Sequence, residues 1–185
     1  MSIPDRYADF VYRVATGSKK LKMLITFPVA VVFFSLVVLF VFASLWIDGY
    51  YLFFRFASSW WTFSLSILLL GLGWFICAWT FLTFIRTKGT PVPFNPPPKL
   101  ITSGLYAYVR NPMLLGLFMF LVGLGIILGS LSLIFIFTPL FILINVLYLK
   151  GIEEKEMEKK FGIQYLEYKK KVPMFIPKLK PTWNQ

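Results

Sequence analysis

The sequence predicts an all-α integral membrane protein. It has four transmembrane helices, the third and fourth a tight hairpin, with a cytosolic loop and a C-terminal helix forming a cap. Three observations carry this. Of 185 residues, 58% are hydrophobic and 15% charged, against about a quarter charged in an average soluble domain, and the mean hydropathy is +0.73. The 21 Phe, 9 Tyr and 6 Trp are more than a water-soluble core of this size can enclose. Charges also partition sharply: residues 23–47, 56–85 and 111–149 hold none.

A hydrocarbon core of about 30 Å needs about 20 apolar helical residues. The first two uncharged runs give one span each, about 23–47 and 60–85. The first is longer than the ~7–15 residues of a signal-peptide core and lacks a following small-x-small cleavage site, so it reads as a retained span. The third run, 39 residues long, is too long for one span. Its middle, with Gly123, Gly125, Gly129 and Ser130, is its weakest helix-forming stretch, which predicts arms at about 112–128 and 131–149. Both arms are slightly short, which suits a locally thinned bilayer. The chain, 1–185, reads as a single integral-membrane domain.

Lys and Arg set the orientation. Residues 1–22 carry five, 86–110 four and 150–185 nine, while the opposite side carries only Arg55. The positive-inside rule therefore places both termini and the 86–110 loop in the cytosol. The net charge of +11 reads as headgroup anchoring rather than nucleic-acid binding. Trp46, Tyr50, Tyr51, Trp60 and Trp61 flank the short non-cytosolic loop as an aromatic belt. The chain has no histidine, which excludes imidazole acid–base catalysis, Ser-His-Asp triads and histidine zinc sites. The single cysteine, Cys77, excludes an intrachain disulfide and a cysteine metal cluster. No metal is expected.

Polar chemistry is thus confined to two cytosolic segments. In the loop 86–111, five prolines between Pro91 and Pro98 favour stiff, extended backbone. Ser103-Gly104 marks a turn, and Pro112 suits the first turn of the third span. In the C-terminal segment 150–185, a helix grows out of the fourth span with an apolar stripe at Met157 and Phe161. Glu153 and Glu154 flank that stripe, and an acid as close to the bilayer as Glu153 calls for a cationic partner or ligand. Helical spacing turns Glu156 away, to pair with Lys160 in solvent, and leaves Glu158 solvated. Gly162 interrupts the helix, Tyr165 and Tyr168 resume it, and Pro173 and Pro177 end the ordered part. The two segments together form a cap able to hold a polar ligand over the membrane.

These segments resemble the isoprenylcysteine carboxyl methyltransferase family and the related phospholipid methyltransferases. The matching residues run Leu100-Ile101-Thr102-Ser103-Gly104-Leu105-Tyr106-Ala107, then Arg110-Asn111-Pro112 with Gly116. They continue through Glu153-Glu154, Phe161-Gly162 and Tyr165-Leu166-Glu167-Tyr168-Lys169-Lys170, and close with Val172-Pro173 and Pro177. The resemblance implies a membrane-embedded methyltransferase with S-adenosylmethionine as cofactor. It implies contacts from Leu100, Ile101, Tyr106, Asn111, Pro112, Met113, Leu114 and Glu153, with Pro98 and Lys99 at the loop edge. Glu153 suits the cofactor ammonium, Arg110 or Lys99 its carboxylate, and Tyr106 its adenine or sulfonium.

Two departures bear on chemistry. The family's histidine is here Asn111 and its tyrosine, two residues beyond the proline, is Leu114; asparagine cannot take up a proton to become a cation. The family's substrate-carboxylate arginine is replaced by Leu149, with Lys150 adjacent. Arg110 and Asn111 are the catalytic candidates, Leu149 and Lys150 the substrate-binding ones. The expected acceptor is a prenylcysteine-like or other lipid carboxylate, or a lipid amine, arriving from the bilayer through an apolar groove near Asn111. Two rival readings stand beside this one. The first is a catalytically inactive lipid-binding or scaffold homologue. The second is an NADPH-dependent sterol-reductase-like enzyme, which would place an acid after Gly116 where this chain has Leu117.

Overall fold

The computed structural model describes Val14, residues 17–51, 59–87 and 98–178, and Lys180. All of the regular structure among the described residues is helical. Helix α1 spans Lys19–Tyr51 and α2 spans Trp60–Arg86. A 3-10 turn at Gly104–Ala107 precedes α3, Pro112–Leu128. The remainder is α4 (Thr138–Tyr148), α5 (Glu154–Phe161) and α6 (Ile163–Lys171). Wide π-turns at Leu133–Phe137 and Leu149–Glu153 join α4 to its neighbours, so that Leu133–Phe161 is one continuous helix of 29 residues. The expected proline-rich backbone between Pro91 and Pro97, and Arg55, lie outside the described residues.

Among the described residues, three helices are long and apolar enough to cross a membrane: Leu24–Tyr50, Trp60–Arg86 and Leu133–Phe161. Helix α3, at 17 residues, rises about 25 Å and is shorter than they are. The apolar part of the third long helix ends at Leu149. Eight of the twelve residues from Lys150 to Phe161 are charged, which places that stretch beyond the hydrocarbon.

Helix α2 rises from a capping box, in which Ser59 Oγ accepts from the Thr62 amide and Thr62 Oγ1 from the Ser59 amide. Helices α2 and α3 meet backbone to backbone. A Cβ on Gly73 would stand 2.6 Å from the Gly116 carbonyl oxygen, and one on Gly116 would stand 2.8 Å from that of Gly73. Small residues permit such close approach between apolar helices, where dispersion drives association. Gly123 also lies against α2, at Leu69 and Leu70, so it is a packing residue rather than part of a turn. The turn is made by Gly129, whose φ of +67° is the left-handed conformation that ends α3. Beyond it, Gly125 meets Ile134, and the Phe118 ring meets Phe141 at 6.0 Å. These contacts lie progressively further from the turn on both arms.

Helix α1 covers the other side. Phe33, Leu36, Val37, Phe40 and Val41 pack on the core of Phe118, Leu121 and Phe141, with Phe33 and Phe141 centroids 5.6 Å apart. Near the far end of α1, Asp48 performs a task the sequence reading missed. Its Oδ1 accepts from the Ser132 amide at 3.1 Å and its Oδ2 from the Ser130 hydroxyl, while Ser130 Oγ accepts from the Leu133 amide at 3.1 Å. An acid from one helix thus caps the N-terminus of another, satisfying donors that have no partner within their own helix. Around this end, Trp46, Tyr50, Trp60 and Trp61 are all well exposed, the placement that a membrane-interface belt calls for.

Candidate functional site

The site is built where α3 begins and the long helix leaves its apolar stretch. Gly104, at φ +62°, opens the 3-10 turn that presents Tyr106. The Tyr106 ring meets Phe84 of α2 edge-on at 6.2 Å, and its carbonyl accepts from the Tyr168 hydroxyl at 2.7 Å. The chain then passes Arg110 and Asn111 into Pro112, whose missing amide costs nothing at the first helical position.

Residues 172–178, where Pro173 and Pro177 were expected to end the ordered part, run alongside this junction. The Arg110 amide donates to the Pro173 carbonyl at 2.8 Å, the Asn111 amide to Met174 at 3.2 Å, and the Lys178 amide to Tyr108 at 3.3 Å. Phe175 packs on Phe118 at 5.2 Å. Pro173 and Pro177 follow the end of α6 at Lys171 and stiffen a strap that holds the junction.

Arg110 takes part in that construction through its Nε and Nη1. Its Nε donates to the Val172 carbonyl at 3.0 Å, and its Nη1 donates to Glu154 Oε1 at 2.7 Å and to Tyr165 Oη at 3.4 Å. The two charged side chains are only 11% and 10% exposed. Lys169 completes the cluster, 2.6 Å from Glu154 Oε2 and 2.9 Å from Glu158 Oε1. Burial pushes the Glu154 carboxyl up, but the bonds from Lys169 and Arg110 outweigh it and hold the group below its ordinary value. Glu158, expected to be solvated, is the outer partner of this cluster. Tyr165, Tyr168 and Val172 form the small core beneath, with Leu100, Met157 and Phe161 against them. The apolar stripe expected at Met157 and Phe161 is therefore present and faces this core.

Glu153 and Glu156 differ from Glu154. Glu153 is half-buried and makes no hydrogen bond or ion pair among the described residues. Burial, then the Glu156 and Glu154 carboxylates, push it up to about 7 against the pull of Arg110. It lies within electrostatic reach of Tyr106 and Tyr165. Glu156 corrects an expectation: it is not a solvated residue but 3% exposed. Its Oε1 is buried without a partner, and burial pushes the group up to about 7 although Lys160 lowers it. The side of the helix away from the Met157–Phe161 stripe is covered too: Ile152, one turn before Glu156, packs with Val14, Ile25 and Val29.

The other expected residues divide. Asn111 Nδ2 reaches the Met174 carbonyl at 3.4 Å, and the Met113 carbonyl accepts from Cys77 Sγ at 3.4 Å. Pro112 is buried, while Ile101 and Met113 are half-buried around the same junction. Leu114 packs into the Phe118–Phe141 core, and Leu100 packs into the tyrosine core. Leu149 is 2% exposed, whereas Pro98, Lys99 and Lys150 are exposed. Glu154, Lys169 and the strap carbonyls were not singled out as site residues. The tyrosine spacing and the acid beside Glu153 were the available signals.

Residues 61–164 match the phospholipid methyltransferase family. The chain is also 38% identical over 81 residues to a protein-S-isoprenylcysteine O-methyltransferase of Schizosaccharomyces pombe, covering 42% of this chain and 33% of that relative. The match spans a third of the relative's length. No solved structure matches. The family match takes in α2, the 3-10 turn, Arg110, the α3 junction and the three acids, so the chain belongs to the phospholipid methyltransferase family.

Proposed function

We propose that the protein is a membrane-embedded methyltransferase that takes its methyl group from S-adenosylmethionine and passes it to a lipophilic acceptor. The observation that carries this is Glu153, a half-buried acid with no hydrogen bond or ion pair among the described residues, beside Tyr106 and the α3 junction. The residues present fit the cofactor. Glu153 would hold its ammonium and Tyr106 its adenine or sulfonium, while Leu100, Ile101, Asn111, Pro112, Met113 and Leu114 would line the site. With Arg110 bound to Glu154, Lys99 is the cation left for the cofactor carboxylate. When bound, the cofactor supplies an electrophilic methyl group on a sulfonium.

The chain's own contribution is alignment and exclusion of water. Arg110 acts as a clamp that fixes the junction, and Asn111 offers an amide but accepts no proton. With Glu153 committed to the cofactor ammonium, Glu156, pushed up to about 7, can take one near neutral pH. This favours an amine headgroup over a carboxylate. A carboxylate acceptor would find Leu149 buried, Lys150 exposed and Arg110 already paired, whereas an amine would find the acid Glu156. The acceptor would enter from the bilayer, and the chain would cross it four times, with α3 and α4 as the hairpin and both termini cytosolic. A cysteine at Lys178 that reacts from the non-cytosolic side would exclude that topology.

Calorimetry on detergent-purified protein should give binding of S-adenosylhomocysteine and none of NADPH. Labelled methyl from the cofactor should then appear in an amine lipid of a total extract. Binding of NADPH instead, or failure to bind S-adenosylhomocysteine, would overturn the proposal. Cofactor binding without transfer to any lipid would favour the inactive homologue.

A further inference from the structure

We infer that the strap 172–178 is an interfacial anchor that binds anionic phospholipid headgroups of the adjoining leaflet and thereby steadies the Arg110–Asn111 junction. Depth is set by Phe175. Its ring lies 5.2 Å from Phe118, six residues into α3 and so about 9 Å along it from Pro112. The strap therefore runs at the level where α3 enters the apolar layer, not out in water. The next residue, Ile176, turns the other way and is 82% exposed. A large aliphatic side chain at that depth belongs in the acyl boundary of the bilayer.

Charge complements this placement. Lys178 is tied to the end of α6, its Nζ donating to the Lys171 carbonyl at 2.9 Å, which brings it beside the exposed Lys170. Lys180 follows, also exposed. An exposed Ile flanked by lysines at headgroup level is the pattern that anionic lipid surfaces attract. The same strap supplies the carbonyls of Pro173 and Met174 to the Arg110 and Asn111 amides. Whatever holds the strap against the membrane therefore holds those two amides.

The anchor stands on its own geometry; its effect on cofactor affinity rests on the function proposed above. The test uses the full-length protein in nanodiscs of phosphatidylcholine alone and of phosphatidylcholine mixed with phosphatidylglycerol. Hydrogen exchange at the Arg110 and Asn111 amides, without cofactor, should slow in the anionic discs. The triple variant K170Q/K178Q/K180Q and the single variant Ile176→Ser should each abolish the difference, and K170R/K178R/K180R should keep it. S-adenosylhomocysteine should bind about fivefold more tightly in the anionic discs, the low end of ordinary coupling between two sites. Equal exchange in both discs, or a lipid effect that survives the glutamine and serine variants, would overturn the anchor. So would equal protection by inorganic phosphate added to phosphatidylcholine discs, which would make the ligand a free anion. Exchange that responds to lipid while no S-adenosylhomocysteine binds would leave the anchor standing and refute the cofactor reading.

Discussion

Replacing Glu154 by Gln separates a clamp from a catalytic arginine. The carboxylate holds Arg110 at 2.7 Å and Lys169 at 2.6 Å, and neither the Arg110 nor the Glu154 side chain is more than 11% exposed. Removing one partner of a buried pair costs about 3–5 kcal/mol. Here Arg110 keeps the Val172 carbonyl, and Lys169, 34% exposed, keeps Glu158. The loss should fall at or just below the low end, about 2–3 kcal/mol. At about 2–4 °C for each kcal/mol in a chain of this size, thermal unfolding in detergent should shift down by about 5–10 °C. Arg110→Gln should cost as much, and the double variant little more than either single one, because the pair acts as a unit. In Arg110→Gln, methyl transfer should fall in proportion to lost stability and recover when the temperature is lowered. If Arg110→Gln abolishes transfer at an unchanged unfolding temperature, the guanidinium acts on ligand, and the clamp is the wrong description.

Four further outcomes follow from the geometry. A ligand ammonium pairs with ionised Glu153, whose pKa of about 7 makes S-adenosylhomocysteine affinity rise with pH. The change from pH 6 to pH 8 should be about tenfold by titration calorimetry, and Glu153→Gln should flatten the profile. The raised carboxyl pKa works oppositely on the unliganded fold, whose stability from this group is full below the ordinary 4.5 and is lost as pH rises through about 7; a thermal midpoint that climbs over that interval would contradict it. Asp48→Ala should cost about 2 kcal/mol in the same unfolding assay, as the loss of a strong cap, and Asp48→Asn clearly less; equal losses would deny the cross-helix cap. Gly73→Ala should destabilise by about 1–3 kcal/mol, since its Cβ would meet backbone atoms of Gly116 and Phe120 within 2.8 Å; an unchanged unfolding temperature would show that α2 and α3 can part freely.

Much of the fold was legible because a bilayer imposes a length and a composition on each span. The α3 boundaries, Pro112 and Leu128, were read correctly from the proline at one end and the glycine-serine turn at the other. The long helix was legible as an apolar stretch that continues into a charged helix, because nothing between Leu149 and Phe161 breaks it. Its two π-turns were missed. Pro139, just after the first, removes a helix N–H and was the available signal there. The second has no comparable breaker, and Glu156 was misread because its side of the helix is covered rather than solvated. Asp48 escaped notice because its partners, Ser130 and Ser132, stand more than eighty residues away in sequence. The strap was hidden for a similar reason: Pro173 and Pro177 signal the end of a helix, and only the distant carbonyl acceptors reveal that the segment beyond is ordered. Glu153 was legible as an acid just past the hydrocarbon that calls for a cationic partner. Arg110 was legible as important, but its role was not, since its partner Glu154 lies 44 residues away.

The adjacent acids explain how one site keeps a free carboxylate beside a fixed guanidinium. Neighbouring residues on a helix point about 100° apart, so Glu153 and Glu154 cannot both address Arg110. Glu154 takes the arginine and, with Lys169, neutralises it. Glu153 is left with burial and two like charges around it, which raises its pKa and leaves its carboxylate for a cation from outside. Were Glu154 absent, Arg110 would have Glu153 as its nearest remaining acid, and the pairing would fill the place proposed for the ligand ammonium. The structural pair is in this sense a condition of the binding acid. A loss of S-adenosylhomocysteine affinity in Glu154→Gln is thus expected to come with a lowered Glu153 pKa and a binding profile displaced toward acid. A merely loosened fold would weaken binding at every pH alike.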